Sequence, residues 1–153
     1  MYVLYNVFES FFSTVYFCKI DKMVKSLFER IGGEAAIEAA VELFYEKLVA
    51  DENLKKFFEG VNMDNLKAHQ RKFLQLAFTK IPEDVQVDKL MLEKHDRLFK
   101  MGLDETHFDM VAGHLVATLQ ALQVKSDLID EAVAIVGPLR PIFQQGAEMA
   151  KSA

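Results

Sequence analysis

The sequence predicts an all-α chain on three observations. Apolar residues recur every three to four positions in one segment after another, and no segment shows the sustained two-residue alternation of a strand. Gly32-Gly33, Ile81-Pro82, Gly102 and Gly137-Pro138 punctuate the periodic stretches. A length of 153 residues suits one domain that buries about two thirds of its unfolded surface. Apolar residues make up 51%, with only seven glycines and three prolines, so no flexible linker is expected.

A short helix is predicted over 24–31, stopping at Gly32-Gly33, where glycine tolerates backbone angles costly to other residues. A longer helix starts near Glu34, with Ile37, Val41, Phe44, Tyr45 and Leu48 on one stripe. Residues 51–61 read as short helical turns carrying Phe57-Phe58. The next helix, about 63–79, is predicted to bury Leu66, Gln70, Phe73 and Ala77, with His69 and Leu74 flanking them. Ile81-Pro82 ends it, because proline lacks an amide donor and biases the preceding residue away from helix. After a loop to about 89 comes a helix whose apolar residues fall three and four positions either side of His95. Asp104 caps a helix predicted to bury Phe108, Val111, Ala112, Leu115, Leu119 and Leu122. Ser126 is predicted to cap the last helix, with Leu128, Ile129, Ala132, Val133 and Val136 inside and a kink or break at Gly137-Pro138 and Pro141. The total is five to seven helices.

The first 22 residues carry seven aromatics, but Asn6, Glu9 and Ser10 interrupt them well short of the ~20 apolar residues of a membrane span. They also lack the features of a secretory signal. Residues 1–22 are read as an extension, an added helix docking on the domain or pairing two copies as a homodimer, with a membrane-surface segment as the second reading and a non-native start as a third; residues 23–153 are expected to form the domain proper. A net charge of −5 argues against nucleic-acid binding through a basic face. The single Cys18 excludes an internal disulfide and any CxxC pair and is compatible with a reducing cytoplasm.

His69 and His95 are the candidate metal ligands, each set in an apolar helical stripe, although His69 lies at the edge of its stripe near Lys67 and Arg71, where solvent serves it as well as a metal does. A buried neutral imidazole needs partners for its ring nitrogens, since an unpaired one costs about 1 to 3 kcal/mol. On the residues alone, a backbone carbonyl serves His95 as well as a metal does. A di-iron arrangement needs two carboxylate-x-x-His pairs, and only Asp104-x-x-His107 is present. HExxH, a Gly-rich phosphate loop and GxSxG are absent. Single histidines on separate helices among bulky apolar side chains suit haem. His107 and His114 read as surface or structural residues. Met91, Met101 and Met110 read as core filler rather than axial ligands.

Leu27-Phe28-Glu29-Arg30-Ile31-Gly32-Gly33, Phe44-Tyr45, Phe57-Phe58, Gly102-Leu103 and His107-Phe108-Asp109, spread between about Ser26 and Phe143, together resemble the group I truncated (2-on-2) haemoglobins. The stretch Asn62-Met63-Asp64 through Ala68-His69-Gln70 to Phe73-Leu74 is similar to the cyanobacterial members. The chain departs from them at Thr79-Lys80-Ile81-Pro82-Glu83-Asp84, where they carry a glycine pair and a tyrosine.

The resemblance implies a truncated 2-on-2 globin fold and a haem. It makes His95 the proximal ligand, with Met91 four residues earlier still fitting the pattern, Phe58 packed on the porphyrin, and Phe73 and Leu66 lining the pocket. Tyr45 and Gln70 become the donors to bound dioxygen, and Leu66 leaves the entrance without a polar gate. His69 sits where the cyanobacterial relatives place a histidine that binds iron on the distal side. A covalent haem link to a last-helix histidine, found in those relatives, has no donor in Val136-Gly137-Pro138-Leu139-Arg140-Pro141-Ile142, so non-covalent haem b is expected. The expected ligands are dioxygen, nitric oxide and carbon monoxide. An activity as nitric oxide dioxygenase needs an external reductase. The competing uses are a store or sensor, an electron-transfer protein with His69 and His95 both bound, and a helical interaction module without haem.

Overall fold

The structure is a computed structural model that describes residues 25–153; the expected N-terminal helix or homodimer contact at 1–22 lies outside the described residues. Helix α1 (Leu27–Ile31) starts at a capping box, in which the Ser26 hydroxyl accepts from the Glu29 amide and the Glu29 carboxylate accepts from the Ser26 amide. Its predicted start at 24 is therefore early by three residues. Gly32, at φ 127°, turns the chain directly into α2 (Gly33–Ala50), which buries Ile37, Ala40, Val41, Phe44, Tyr45 and Leu48.

A 3-10 turn (Lys55–Phe58) follows and buries Phe57. Helix α3 (Met63–Thr79) begins under the Asn62 side chain, which accepts from the Asn65 amide at 3.0 Å. Its fully buried residues are Leu74, Ala77 and Phe78, whereas Leu66, Gln70 and Phe73, predicted to be buried, are half-buried. The apolar face is thus broader than one stripe, and only part of it reaches the core.

Helix α4 (Val87–Lys100) buries Met91 and Phe99. Helix α5 (Glu105–Ala121) is capped by Asp104 as predicted and buries Leu115, Thr118 and Leu119. Phe108, Val111 and Ala112 are only half-buried, and Leu122, predicted inside, is exposed because it follows the last turn of α5. Helix α6 (Ser126–Val136) corrects two expectations. Lys125, not Ser126, occupies the capping position, and Val133 is exposed. At Gly137–Leu139 a 3-10 turn replaces the kink and opens a separate helix, α7 (Arg140–Ser152). Pro138 and Pro141 both fall in first turns, where a missing amide donor costs little. The described residues thus form seven α-helices and no strand.

Helix α2 lies against α3 and α5, and α5 against α6 and α7, so the α2–α3 pair rests on the pair formed by α5 and the α6–α7 segment. Helix α4 lies along α7, and α1 closes α2, α3 and α6. Charged pairs join the layers at their rims. Arg30 bonds Glu131 across α1 and α6, Glu42 on α2 takes Lys67 and Arg71 of α3, and Arg140 grips Asp109 through two bonds of 2.8 and 2.9 Å. The Arg140–Asp109 pair is exposed and the other two are part-buried at the rim, so apolar packing rather than these pairs sustains the fold. Among the described residues no helix is long and apolar enough to cross a membrane.

Leu119, 1% exposed, is expected to cost about 2–5 kcal/mol when changed to Ala, against about 0.5 kcal/mol or less for the exposed Leu76→Ala, both read from urea unfolding. Partial desolvation pushes the Asp104 carboxyl upward, but bonds from Thr106 and His107 outweigh it and hold the pKa at about 2. The stability this adds is complete above the ordinary value of 3.8 and is lost as pH falls toward 2. Asp104→Asn is therefore expected to flatten the acid limb of a stability–pH curve in that window.

Candidate functional site

The predicted site residues gather in two clusters. In the first, Tyr45 projects from α2 among aromatic rings: Phe44 lies edge-on at 5.4 Å and Phe58 of the 3-10 turn at 5.9 Å. Its hydroxyl donates to the amide oxygen of Gln70 on α3 at 3.4 Å. Tyr45 is 5% exposed, and burial drives its pKa well above the usual phenol value. The group therefore stays a neutral O–H donor throughout the physiological range. With its oxygen engaged by Tyr45, Gln70 keeps both amide hydrogens for another acceptor. The long bond also leaves Tyr45 able to turn its proton to a better one.

The second cluster surrounds His95. The main-chain carbonyl of Met91, one turn back on α4, lies 2.8 Å from Nδ1. A carbonyl only accepts, so Nδ1 carries the proton and Nε2 bears the lone pair. Among the described residues no hydrogen bond reaches Nε2. Phe143 of α7 stands against the ring at 5.1 Å and Phe99 at 6.2 Å. Burial pulls the His95 pKa below 6.5, and the Met91 bond opposes this only in part, so the ring is neutral at pH 7. A neutral imidazole with one nitrogen anchored and the other free is the state that binds a metal.

These residues fit a haem. Besides the free Nε2, the half-buried Phe58, Leu66, Phe73, Leu92, Leu98 and Phe143 pack on the core while keeping part of their apolar surface open. Such a surface matches a flat apolar macrocycle. Among the described residues no cluster of three or more histidine, cysteine or carboxylate side chains offers an alternative metal site.

His69 is placed differently from the expectation. Although next to Gln70 on α3, it is exposed rather than aimed into the apolar interior, because the face that reaches the core is centred on Leu74 and Phe78. The structure brings Tyr45, Gln70 and Phe58 together, and His95 with Met91, but His69 with neither cluster. His107 and His114 are structural, as expected. The first bonds Asp104 at 2.7 Å and meets Phe57 edge-on at 5.1 Å, and the second bonds Asp51 at 2.7 Å, tying α5 to the end of α2.

Sequence reasoning missed Phe143 as a wall of the His95 site. The spacing Phe143, Gly146, Ala147, Ala150 at i, i+3, i+4 and i+7 carries the signal, but it is legible only once Arg140-Pro141 is recognised as a helix start.

Residues 26–145 match the bacterial-like globin family. The chain is 40% identical to the group 1 truncated haemoglobin GlbN of Synechocystis over 115 residues, covering 74% of this chain and 91% of that one. It is similar to the crystal structure of Chlamydomonas reinhardtii THB4, with TM-score 0.67 and 41% identity over 78% of this chain and 94% of that one. The 2/2 haemoglobin of Synechococcus, solved in the cyanomet state with covalently attached haem, superposes with TM-score 0.68 at 40% identity, covering 80% and 98%.

In the metal-free protein, nitrogen-15 NMR of the His95 ring is expected to show the Nδ1–H tautomer and a titration below 6.5. Because folding opposes protonation of this ring, the native state loses ground to the unfolded one as pH falls below 6.5 toward the depressed value. An Nε2–H tautomer contradicts the assignment.

Proposed function

The chain belongs to the bacterial-like globin family, as a group 1 truncated haemoglobin, and on that premise we propose that it holds haem b non-covalently and binds dioxygen, nitric oxide and carbon monoxide. The observation that carries the reading is the anchored, neutral imidazole of His95, whose Nδ1 is bonded to the Met91 carbonyl while Nε2 is left to ligate. When bound, haem would supply an iron atom able to take a nitrogen base and a diatomic gas. His95 is that base. Its hydrogen bond to Met91 sets the plane of the ring and raises its basicity. Phe58, Leu66, Phe73 and Met91 give the apolar enclosure.

Tyr45 and Gln70 orient and retain the gas. Their O–H and N–H donors sit in a low-dielectric site, where a hydrogen bond to a partly negative acceptor is stronger than in water. This pairing also supports an oxidation of nitric oxide by dioxygen to nitrate, in which each turnover takes an electron from an external reductase. Nothing in the haem attachment need be covalent, since the four histidines are His69, His95, His107 and His114 and none lies on α6 or α7.

His69 is proposed as a competing ligand in a second state. Its side chain is exposed; rotated inward it would compete with the gas for the haem iron, and gas affinity would scale with the fraction of protein in which it stays outside. This competition also separates a gas carrier from an electron-transfer protein, which needs both histidines bound throughout.

Recombinant protein is expected to take up one haem and show a Soret band, and His95→Ala to lose ordered uptake; unchanged uptake in that variant removes the proximal assignment. Tyr45→Phe is expected to speed dioxygen release about 10- to 100-fold, measured by stopped flow, since a hydrogen bond to a charged acceptor is worth about 1.5–3 kcal/mol. His69→Leu is expected to raise the five-coordinate fraction of the ferrous spectrum, and an identical spectrum refutes the second state. Nitrate formation with a reductase supplied tests the enzymatic reading.

A further inference from the structure

Gly146 lies in the interior of α7, a position where glycine is the poorest helix former after proline. Its reason is steric. A Cβ built on Gly146 falls 2.4 Å from both Cε2 and Cζ of Phe99 and 2.7 Å from Cδ2. These are three atoms of one rigid ring, met far inside the 3.5–4.0 Å of carbon contact. By contrast Gly113 and Gly137 have no atom within 4 Å of such a Cβ.

Phe99 is 5% exposed, its ring packed within the core. It stands one helical turn after His95 on α4, with centroids 6.2 Å apart. On its other flank Phe143 lies at 5.8 Å, and Phe143 is itself held between His95 at 5.1 Å and Phe108 of α5 at 5.1 Å. Phe143 and Gly146 are three residues apart, so one face of α7 presents a ring to His95 and bare backbone to Phe99. A larger residue at 146 leaves two outcomes. Either the Phe99 ring turns toward His95 and Phe143, or α4 lifts from α7 with His95 aboard. Both displace Nε2.

We propose that Gly146 is a positioning residue for His95, its bare backbone seating Phe99 so that Phe99 and Phe143 hold the imidazole in its ligating orientation. The proposal rests on the haem reading, and its failure is distinguishable from that of the reading. Wild-type protein that takes up no haem ends the reading; a haem-loaded variant with an unaltered iron–histidine bond ends the proposal alone.

The test uses the full chain. Gly146→Ala is expected to keep its helical circular dichroism, to shift and broaden the iron–histidine stretching band of the ferrous form in resonance Raman spectra, and to release haem about 10- to 100-fold faster. In the haem-free protein its His95 Hε1 resonance is expected to move, because two ring currents change. Gly113→Ala is the control and is expected to leave all three readings at wild-type values. In a Phe99→Leu background, adding Gly146→Ala is expected to change the stretching band no further, since the obstructing ring is gone. Should Gly146→Ala fail to fold, this pair decides. A wild-type stretching band in folded Gly146→Ala, or an additional shift when Gly146→Ala is placed on Phe99→Leu, overturns the proposal.

Discussion

The hydrogen bond between His95 Nδ1 and the Met91 carbonyl is the constraint on which the candidate site depends. An imidazole free to rotate presents either nitrogen in any direction and pays rotamer entropy for each partner it orders. Tied at one nitrogen to the helix that carries it, the ring keeps a single tautomer and a single plane, and burial keeps it uncharged. The tie is local, spanning four residues of α4, but the environment is not. Phe99, Phe143 and Phe108 come from α4, α7 and α5, so the setting of the ring reports how those three helices pack.

On the other side the order of dependence reverses. Tyr45 is secured first, by the same burial that makes α2 a core helix, and Gln70 is brought to it by the packing of α3 on α2. Glu42, holding both Lys67 and Arg71, reinforces that packing on the outside of the same two helices. Phe58 reaches Tyr45 from the 3-10 turn, whose place after α2 is steadied by Asp51. The His114 bond lowers the Asp51 pKa, as do the backbone and side chain of Asn53, so that carboxylate stays ionised at the corner. The cluster of Tyr45, Gln70 and Phe58 thus needs three elements in register, whereas the His95 tautomer needs only one helix.

Much of this was legible in the chain. The helical periods, the Gly32-Gly33 and Asp104 boundaries and the candidate residues Tyr45, Gln70 and His95 follow from spacing and resemblance, because helix periodicity and capping are local rules. The errors share a cause. Leu122 and Val133 sit at a helix end and a stripe edge, where a rotation of a few tens of degrees or one residue of length decides between inside and outside, and His69, at the edge of its own stripe, takes the solvated side of the two readings the residues left open. Ser126 satisfied the capping rule and still fell inside the helix. For His95 the two readings open from the residues, a carbonyl partner or a metal, turned out to be compatible, since the ring has one nitrogen for each.

Helix periods and most helix boundaries were readable from the chain, because they follow from chemistry within a turn or two, while the roles of Tyr45, Gln70 and His95 came from the resemblance. Only the tertiary structure decided that α7 is a separate helix, that its Phe143 and Gly146 meet His95 and Phe99, and that His69 is exposed. The meetings of Phe143 with His95 and of Gly146 with Phe99 join residues 48 and 47 positions apart, and such contacts are set by how ridges and rings interdigitate across helices rather than by any periodicity within one.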